Sequence, residues 1–246
     1  MNAPESGGAQ ALVTEFLGTF LFVTIGAGSV VVTNAQLAPL GVFGVVFAHG
    51  IAFAVVLAAF GGQYNPALTV SVLVGGRMRI GDAASRIAAQ IVGAVAAGGI
   101  VLAMLGQTAD RLAVGTPAPR ADLAAWRAIL VEGVFTFFIA MVYWATMTEG
   151  RERIAAGFVV GLTLLASMLL AAQLSGGALN PVRHLGPAVV AGSFRRWWVY
   201  WVGPLGGGVL AGLVYPLVFG ERRLPWRLVP ATEAEPREPA RRGRGG

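Results

Sequence analysis

The chain has 246 residues, of which 56% are hydrophobic and 12% are charged, with a formal net charge of +6. Roughly a quarter of the residues in an average soluble domain are charged, so this composition indicates an integral membrane protein. There is no cysteine, which excludes a disulfide framework and a thiolate metal site. Seven arginines follow Gly220, so the positive charge is concentrated in a tail and does not indicate nucleic-acid binding.

Six apolar stretches are long enough to cross a bilayer, which requires ~20 mainly apolar residues. They cover approximately residues 11–33, 41–60, 83–105, 125–147, 154–174 and 196–219. Two shorter apolar segments, 66–74 and 181–191, begin at the proline of an Asn-Pro pair and are too short to span. Short hydrophobic segments at corresponding places in two halves of a chain point to the site of a transporter or channel.

The two halves of the chain carry the same motifs. Gly-Gly-x-x-Asn-Pro begins at Gly61 and again at Gly176, 115 residues later. Glu15 and Glu132 each precede a Thr-Phe pair at the same spacing. Because each half contains three spans, an odd number, the second half must enter the membrane with the opposite orientation.

We therefore predict an all-α membrane protein with six transmembrane helices and two re-entrant half-helices, arranged as an inverted repeat. The channel domain is expected to cover residues 11–219, with one repeat at 11–105 and the other at 125–219. An N-terminal tail, 1–10, precedes it. A basic tail, 220–246, follows, and its content of proline, glycine and charge predicts disorder.

The Asn-Pro pairs are typical of helix starts. Asparagine is a preferred N-cap, and proline is favoured at the first helical position because its missing N–H matters least there. Either pair alone could cap an ordinary surface helix in a loop. Two such pairs in inverted repeats instead predict half-helices that enter from opposite faces and direct the positive ends of their dipoles at the membrane centre.

With these motifs the chain resembles the aquaporins, or major intrinsic proteins, over about residues 11–219. The resemblance is carried by Glu15 to Phe20, Asn65-Pro66-Ala67, Gln90, Glu132, Asn180-Pro181-Val182-Arg183 and the glycine-rich run from Gly203. It implies six tilted helices, two re-entrant half-helices and, usually, a homotetramer with one pore per subunit. Val182 departs from the family pattern, which has alanine there, and adds bulk where the half-helices meet.

The resemblance implies that water passes in single file. Asn65 and Asn180 would donate hydrogen bonds to a water oxygen at the midplane, which breaks a continuous proton wire. Backbone carbonyls of 61–64 and 176–179 would accept from water along one wall. Half-helix dipoles and an arginine would repel cations.

Glu15 and Glu132 are intramembrane carboxylates, which are candidates for function by default. The alternative is that each accepts backbone N–H groups of the re-entrant loop in its own half. We favour this structural role, since a free carboxylate in the pore would attract cations.

The family's selectivity filter has four positions, and the resemblance places them at His49, Met168, Gly177 and Arg183. Strict counting from Asn65 gives Val45 in place of His49, because the segment between His49 and Asn65 is four residues shorter than usual. The set of histidine, aliphatic residue, glycine and arginine resembles vacuolar-type plant water channels. Those channels often pass ammonia, urea or peroxide besides water.

We therefore expect a passive channel for water and for small neutral solutes that excludes protons and ions. The alternative is a broader facilitator of ammonia, urea, hydrogen peroxide or glycerol, with water secondary. We expect no catalytic residue, metal or cofactor, because an enzyme would need a nucleophile with a base, and the only histidines are His49 and His184. The expected partners are the permeating solutes, membrane lipid and further copies of this chain, and no nucleic acid.

The orientation follows from arginines near the span ends. The short loops carry equal numbers on the two sides, and the basic C-terminal tail places both termini in the cytoplasm. The expected location is the cell membrane, meaning the plasma or inner membrane.

Overall fold

The computed structural model describes residues 8–38 and 40–220, so nearly all of the predicted C-terminal tail lies outside the described residues. Eight α-helices are found in them: α1 (Gly8–Asn34), α2 (Gly41–Phe60), α3 (Pro66–Val74), α4 (Ile80–Arg111), α5 (Ala125–Tyr143), α6 (Arg153–Leu174), α7 (Pro181–Ala191) and α8 (Val199–Phe219). A π-helical turn, Trp144–Thr148, continues α5.

Six of these helices are long and apolar enough to cross a membrane, which confirms the predicted fold class. The half-helices α3 and α7 have the predicted bounds. The largest difference is at α4, which continues six residues beyond the predicted end at 105. Its last turns, from Gly106 to Arg111, are polar, so hydropathy alone does not include them, and the helix bends at Gly106.

The packing of the helices repeats the sequence symmetry. In the first half α1 packs on α4, and in the second half α5 packs on α8. Each half-helix crosses to the other half, α7 onto α4 and α3 onto α8, while α2 and α6 pack against each other. Glycines permit these close crossings, because a Cβ at Gly186 would overlap the Ala94 carbonyl and one at Gly208 would overlap the Ala67 carbonyl.

The distribution of side chains is that of a membrane protein. Large apolar side chains face outward along the helices, for example Leu17 on α1, Leu162 on α6 and Leu213 on α8. Polar side chains are buried at the centre, and they include Glu15, His49, Gln63, Asn65, Thr69, Gln90, Glu132, Thr136, Ser175, Asn180, Arg183 and His184. Because burying polar groups costs free energy unless they are hydrogen-bonded, this polar centre is where a functional site is expected.

Candidate pore

The two half-helices start in the same way. Each begins at the proline of an Asn-Pro pair, and the asparagine before it is extended and serves as the N-cap. The Asn65 Oδ1 accepts from the Ala67 N–H at 2.9 Å, and the Asn180 Oδ1 accepts from the Val182 N–H at 3.1 Å. Both side-chain oxygens are thereby held, and both amide nitrogens point away from their own helix.

Each asparagine amide then bonds to the other half of the chain. The Asn65 Nδ2 donates to the Leu179 carbonyl at 3.0 Å, and the Asn180 Nδ2 donates to the Tyr64 carbonyl at 2.8 Å. These reciprocal bonds bring the N-termini of α3 and α7 together. An amide has two N–H groups, so one on each asparagine remains for a ligand. The sequence prediction assigned these amides to water and did not foresee the crossed bonds.

A buried carboxylate holds the loop before each half-helix. Glu15 accepts the N–H groups of Gln63 and Tyr64 at 3.0 and 2.8 Å. At the equivalent place Glu132 accepts those of Ala178 and Leu179, at 3.1 and 2.6 Å. A Ser175 hydroxyl donates to Glu132 at 2.6 Å as well.

The carboxylate of the first half has further partners. The Arg86 Nη1 lies 3.2 Å from Glu15 Oε1, and Gln90 donates to Oε2 at 2.8 Å. Gln90 also donates to the Thr69 hydroxyl at 3.0 Å, which in turn donates to the Gln63 side chain at 2.8 Å. The two halves therefore differ, because only the first carboxylate is paired with a cation among the described residues.

The structure brings His49 and Arg183 together, at the opposite end of the polar centre from Arg86. The Arg183 Nε donates to His49 Nε2 at 2.9 Å, and both terminal nitrogens donate to the Gly115 carbonyl at 3.1 Å. An arginine does not deprotonate in proteins, so His49 Nε2 must be the acceptor. The proton of the neutral ring is then on Nδ1 and is donated to the Val45 carbonyl at 2.8 Å. Two guanidinium N–H groups remain for a ligand.

The acceptor of Arg183 lies in a strained turn. Ala113, Val114 and Gly115 all have positive φ, of 48°, 53° and 70°. This conformation is costly for a β-branched residue such as Val114, which is fully buried. A Cβ at Gly115 would lie 2.5 Å from the Ala27 carbonyl oxygen, so only glycine fits against α1 there. Strain of this kind persists where the surrounding structure fixes it, here beneath the Arg183 side chain.

The other two predicted filter residues take no part in this hydrogen-bonded group. Met168 is buried on α6 in the apolar core. Gly177 has a φ of +60°, and a Cβ there would lie 2.8 Å from the Ala172 nitrogen, so any side chain would be obstructed. Val45 is half-buried and contributes its carbonyl to His49, as described above.

Val182, which departs from the family pattern, and His184, two residues later, are both buried. Val182 belongs to the apolar core. The His184 ring stacks on Tyr200 with centroids 4.3 Å apart, and neither ring nitrogen has a hydrogen-bond partner among the described residues. His184 therefore packs α7 against α8.

Three groups that contribute hydrogen bonds or charge to the site were not predicted from the sequence. The Gly115 acceptor is a backbone carbonyl in a loop, so no residue type marks it. Arg86 could have been found, because it precedes Gln90 by one helical turn and both side chains therefore meet Glu15. Tyr143 ends α5 and donates its hydroxyl to the Gly62 carbonyl at 2.8 Å, a contact that no local pattern indicates.

The chain is similar to known proteins along most of its length. The family model described as "Major intrinsic protein" matches residues 3–215. The chain is 38% identical over 229 residues to "Probable aquaporin TIP-type RB7-18C" of Nicotiana tabacum, with 87% of this chain and 88% of that protein covered. It is 37% identical over 243 residues to "Probable aquaporin TIP2-2" of Arabidopsis thaliana, with 92% and 93% covered.

Among solved structures, the fold is similar to that of the aquaglyceroporin from Plasmodium falciparum. The TM-score is 0.79 at 20% sequence identity, with 86% of this chain and 97% of that chain covered. At this identity the likeness concerns the fold alone. The family model and the sequence relatives lead to one assignment: the chain belongs to the major intrinsic protein family, the family of the aquaporin channels.

Proposed function

We propose that this protein is a passive channel for water that also passes small neutral solutes and excludes protons and ions. The observation that carries the proposal is the crossed pair of asparagine amides, Asn65 and Asn180, at the meeting point of two half-helix N-termini. Each amide has one N–H left over, and both are fixed in direction by their other bonds. A water molecule between them would accept two hydrogen bonds and turn its own hydrogens outward along the path.

Exclusion of ions then has two sources. The N-termini of α3 and α7 each carry about half a positive charge, and both face the same point, so a cation there is repelled twice. Arg183 places a full positive charge nearer one end of the path, and its remaining N–H groups can bind a neutral solute. A proton meets the same charges and also a water whose orientation breaks the hydrogen-bonded chain.

Passage of solutes beyond water is supported by the filter residues. Gly177 contributes no side chain, and Met168 is apolar and unbranched, so the opening beside His49 and Arg183 is not narrowed by a second polar or aromatic group. We therefore propose that ammonia, urea or hydrogen peroxide pass besides water. The alternative is a facilitator in which one of these solutes, or glycerol, is the main substrate and water is secondary.

The primary test is reconstitution in liposomes followed by stopped-flow light scattering. We expect osmotic water permeability well above that of empty liposomes, with slower entry of urea and no dissipation of a proton gradient. Liposomes containing a similar amount of an unrelated six-span membrane protein serve as the control. Water permeability equal to that of the control would contradict the channel proposal. A urea permeability higher than the water permeability would favour the alternative.

The filter assignment is tested by His49→Phe. The ring of Phe cannot accept from Arg183, and it is larger than imidazole. Gly26 leaves no room on the α1 side, since a Cβ there would lie 2.6 Å from His49 Nε2. The larger ring should therefore narrow the path and slow urea more than water by about two- to tenfold, which corresponds to an increase of ~1 kcal/mol in the barrier for urea.

Val45→Phe is the matched control for this experiment, because Val45 is the alternative filter position one helical turn earlier. If His49 lines the filter, Val45→Phe leaves the ratio of urea to water permeability near that of the wild type. A large change in Val45→Phe with no change in His49→Phe would reverse the assignment.

We also propose the remaining expectations for this chain. They are a homotetramer with one pore per subunit, residence in the cell membrane, and both termini in the cytoplasm. The family consists of channels rather than enzymes. Light scattering of the detergent-solubilised protein would measure the mass of the oligomer, and labelling of single cysteines placed in either tail would report the side of the membrane.

A further inference from the structure

Two tyrosine hydroxyls bond to the carbonyls of the first box loop. The Tyr64 hydroxyl donates to the Gly61 carbonyl, and the Tyr143 hydroxyl donates to the Gly62 carbonyl at 2.8 Å. At the equivalent carbonyls of the second half, those of Gly176 and Gly177, the described residues provide no such donor. The carbonyl groups of the first box loop are therefore partly occupied by tyrosine hydroxyls, and the equivalent carbonyls of the second box loop are not. The first box loop lies at the pore end opposite Arg183.

Both tyrosine rings are held in place. Tyr64 is fully buried, and its ring occupies the space that a side chain at position 18 would need, since a Cβ on Gly18 would overlap it. Tyr143 is 6% exposed and reaches the loop from the last residue of α5. Gly61 lies beside the start of α6, because a Cβ built on it would be 3.9 Å from the Arg153 Cδ.

A phenol that donates its only hydrogen to a carbonyl changes what a solute meets there. One of the two lone pairs of that carbonyl is taken, and an aromatic edge stands beside it. Water needs a single acceptor at a time and can use the remaining lone pair. A solute with hydroxyls on neighbouring carbons needs several acceptors at once. It therefore loses more hydrogen-bonding free energy than water does when one carbonyl lone pair is occupied.

We propose that Tyr143 is a specificity-determining residue at the pore end opposite Arg183, where its hydroxyl on the Gly62 carbonyl and its ring disfavour polyols such as glycerol relative to water. This role rests on the proposed channel function. Tyr64 supports it by occupying the neighbouring Gly61 carbonyl. The pore thus has two selective regions, one made by His49 and Arg183 and the other by the two tyrosines.

The test compares Tyr143→Phe and Tyr143→Val in liposomes, with glycerol and water permeability measured on the same preparations. Tyr143→Phe keeps the ring and frees the carbonyl, so the ratio of glycerol to water permeability should rise by about two- to tenfold, the size expected for one neutral hydrogen bond. Tyr143→Val also removes the ring, and the ratio should rise further. Because water permeability is measured on the same preparations, differences in the amount of active protein cancel in this ratio.

Tyr215→Phe is the matched control, because Tyr215 lies at the same end of the molecule but stacks on Trp144 with ring centroids 5.6 Å apart. In Tyr215→Phe the ratio of glycerol to water permeability should equal that of the wild type. An unchanged ratio in a conducting Tyr143→Phe protein would overturn the role of Tyr143 alone, and this variant decides the matter if Tyr143→Val does not fold. Wild-type protein without water permeability would instead overturn the channel function and this role with it.

Discussion

Among the substitutions proposed for this protein, Glu15→Leu is expected to lower the free energy of unfolding most. The variant leaves two buried backbone N–H groups, the Gln90 amide and the Arg86 guanidinium without this acceptor. Removing one partner of a fully buried ion pair costs ~3–5 kcal/mol, and the cost is smaller here because the Arg86 side chain is 23% exposed. Each unsatisfied buried donor costs ~1–3 kcal/mol more. The melting temperature in detergent, followed by size-exclusion chromatography of heated samples, should fall steeply or the protein should aggregate.

A double variant separates charge from the loss of loop contacts. Glu15→Leu combined with Arg86→Leu removes the orphaned cation, so part of the stability should return even though Gln63 and Tyr64 still lack an acceptor. Glu149→Leu is the surface control, since Glu149 lies 3.9 Å from Arg77 with both side chains partly exposed. Surface pairs contribute ~0–1 kcal/mol, so little change is expected. A Glu15→Leu protein with the melting temperature of the wild type would contradict the role of this carboxylate in holding the first box loop.

Arg183→Met is expected to have the largest effect on selectivity. Two unit charges ~4 Å apart interact with ~4 kcal/mol at an effective dielectric constant of 20, which corresponds to a factor of ~10³ in rate. The half-helix N-termini remain in the variant, so part of the barrier persists and the cation leak should rise by roughly ten- to a hundredfold. Entry of methylammonium or decay of a proton gradient in liposomes would measure this rise.

Arg196→Met is the control for this variant. Arg196 also donates to a backbone carbonyl, that of Leu123 at 2.7 Å, in the same connection between α4 and α5 that contains Gly115. It is not part of the group around His49, so its loss should leave the cation leak at the wild-type level. Equal leaks in both variants would show that charge at this face, and not Arg183 in the pore, sets the barrier.

The sequence predicted the elements whose causes are local. The half-helix starts followed from Asn65-Pro66 and Asn180-Pro181, because capping chemistry is decided by neighbouring residues. The structural role expected for Glu15 and Glu132 followed from the internal repeat and from the argument that a free carboxylate in the pore would attract cations. The crossed amide bonds, the Gly115 acceptor and the Tyr143 contact could not be predicted this way. Each joins residues that are distant in the chain and depends on a backbone carbonyl, which every residue possesses.

The crossed amide bonds also constrain how the protein is made. They join residues that are 114 and 116 positions apart in the chain, one from each half. While the ribosome is still synthesising the second half, the loop around Asn65 has neither the Leu179 carbonyl nor the Asn180 amide to bond with. The Tyr64 carbonyl and the Asn65 amide therefore have no partner from the other half until that half is in place, and the reciprocal bonds can form only after both halves are in the membrane.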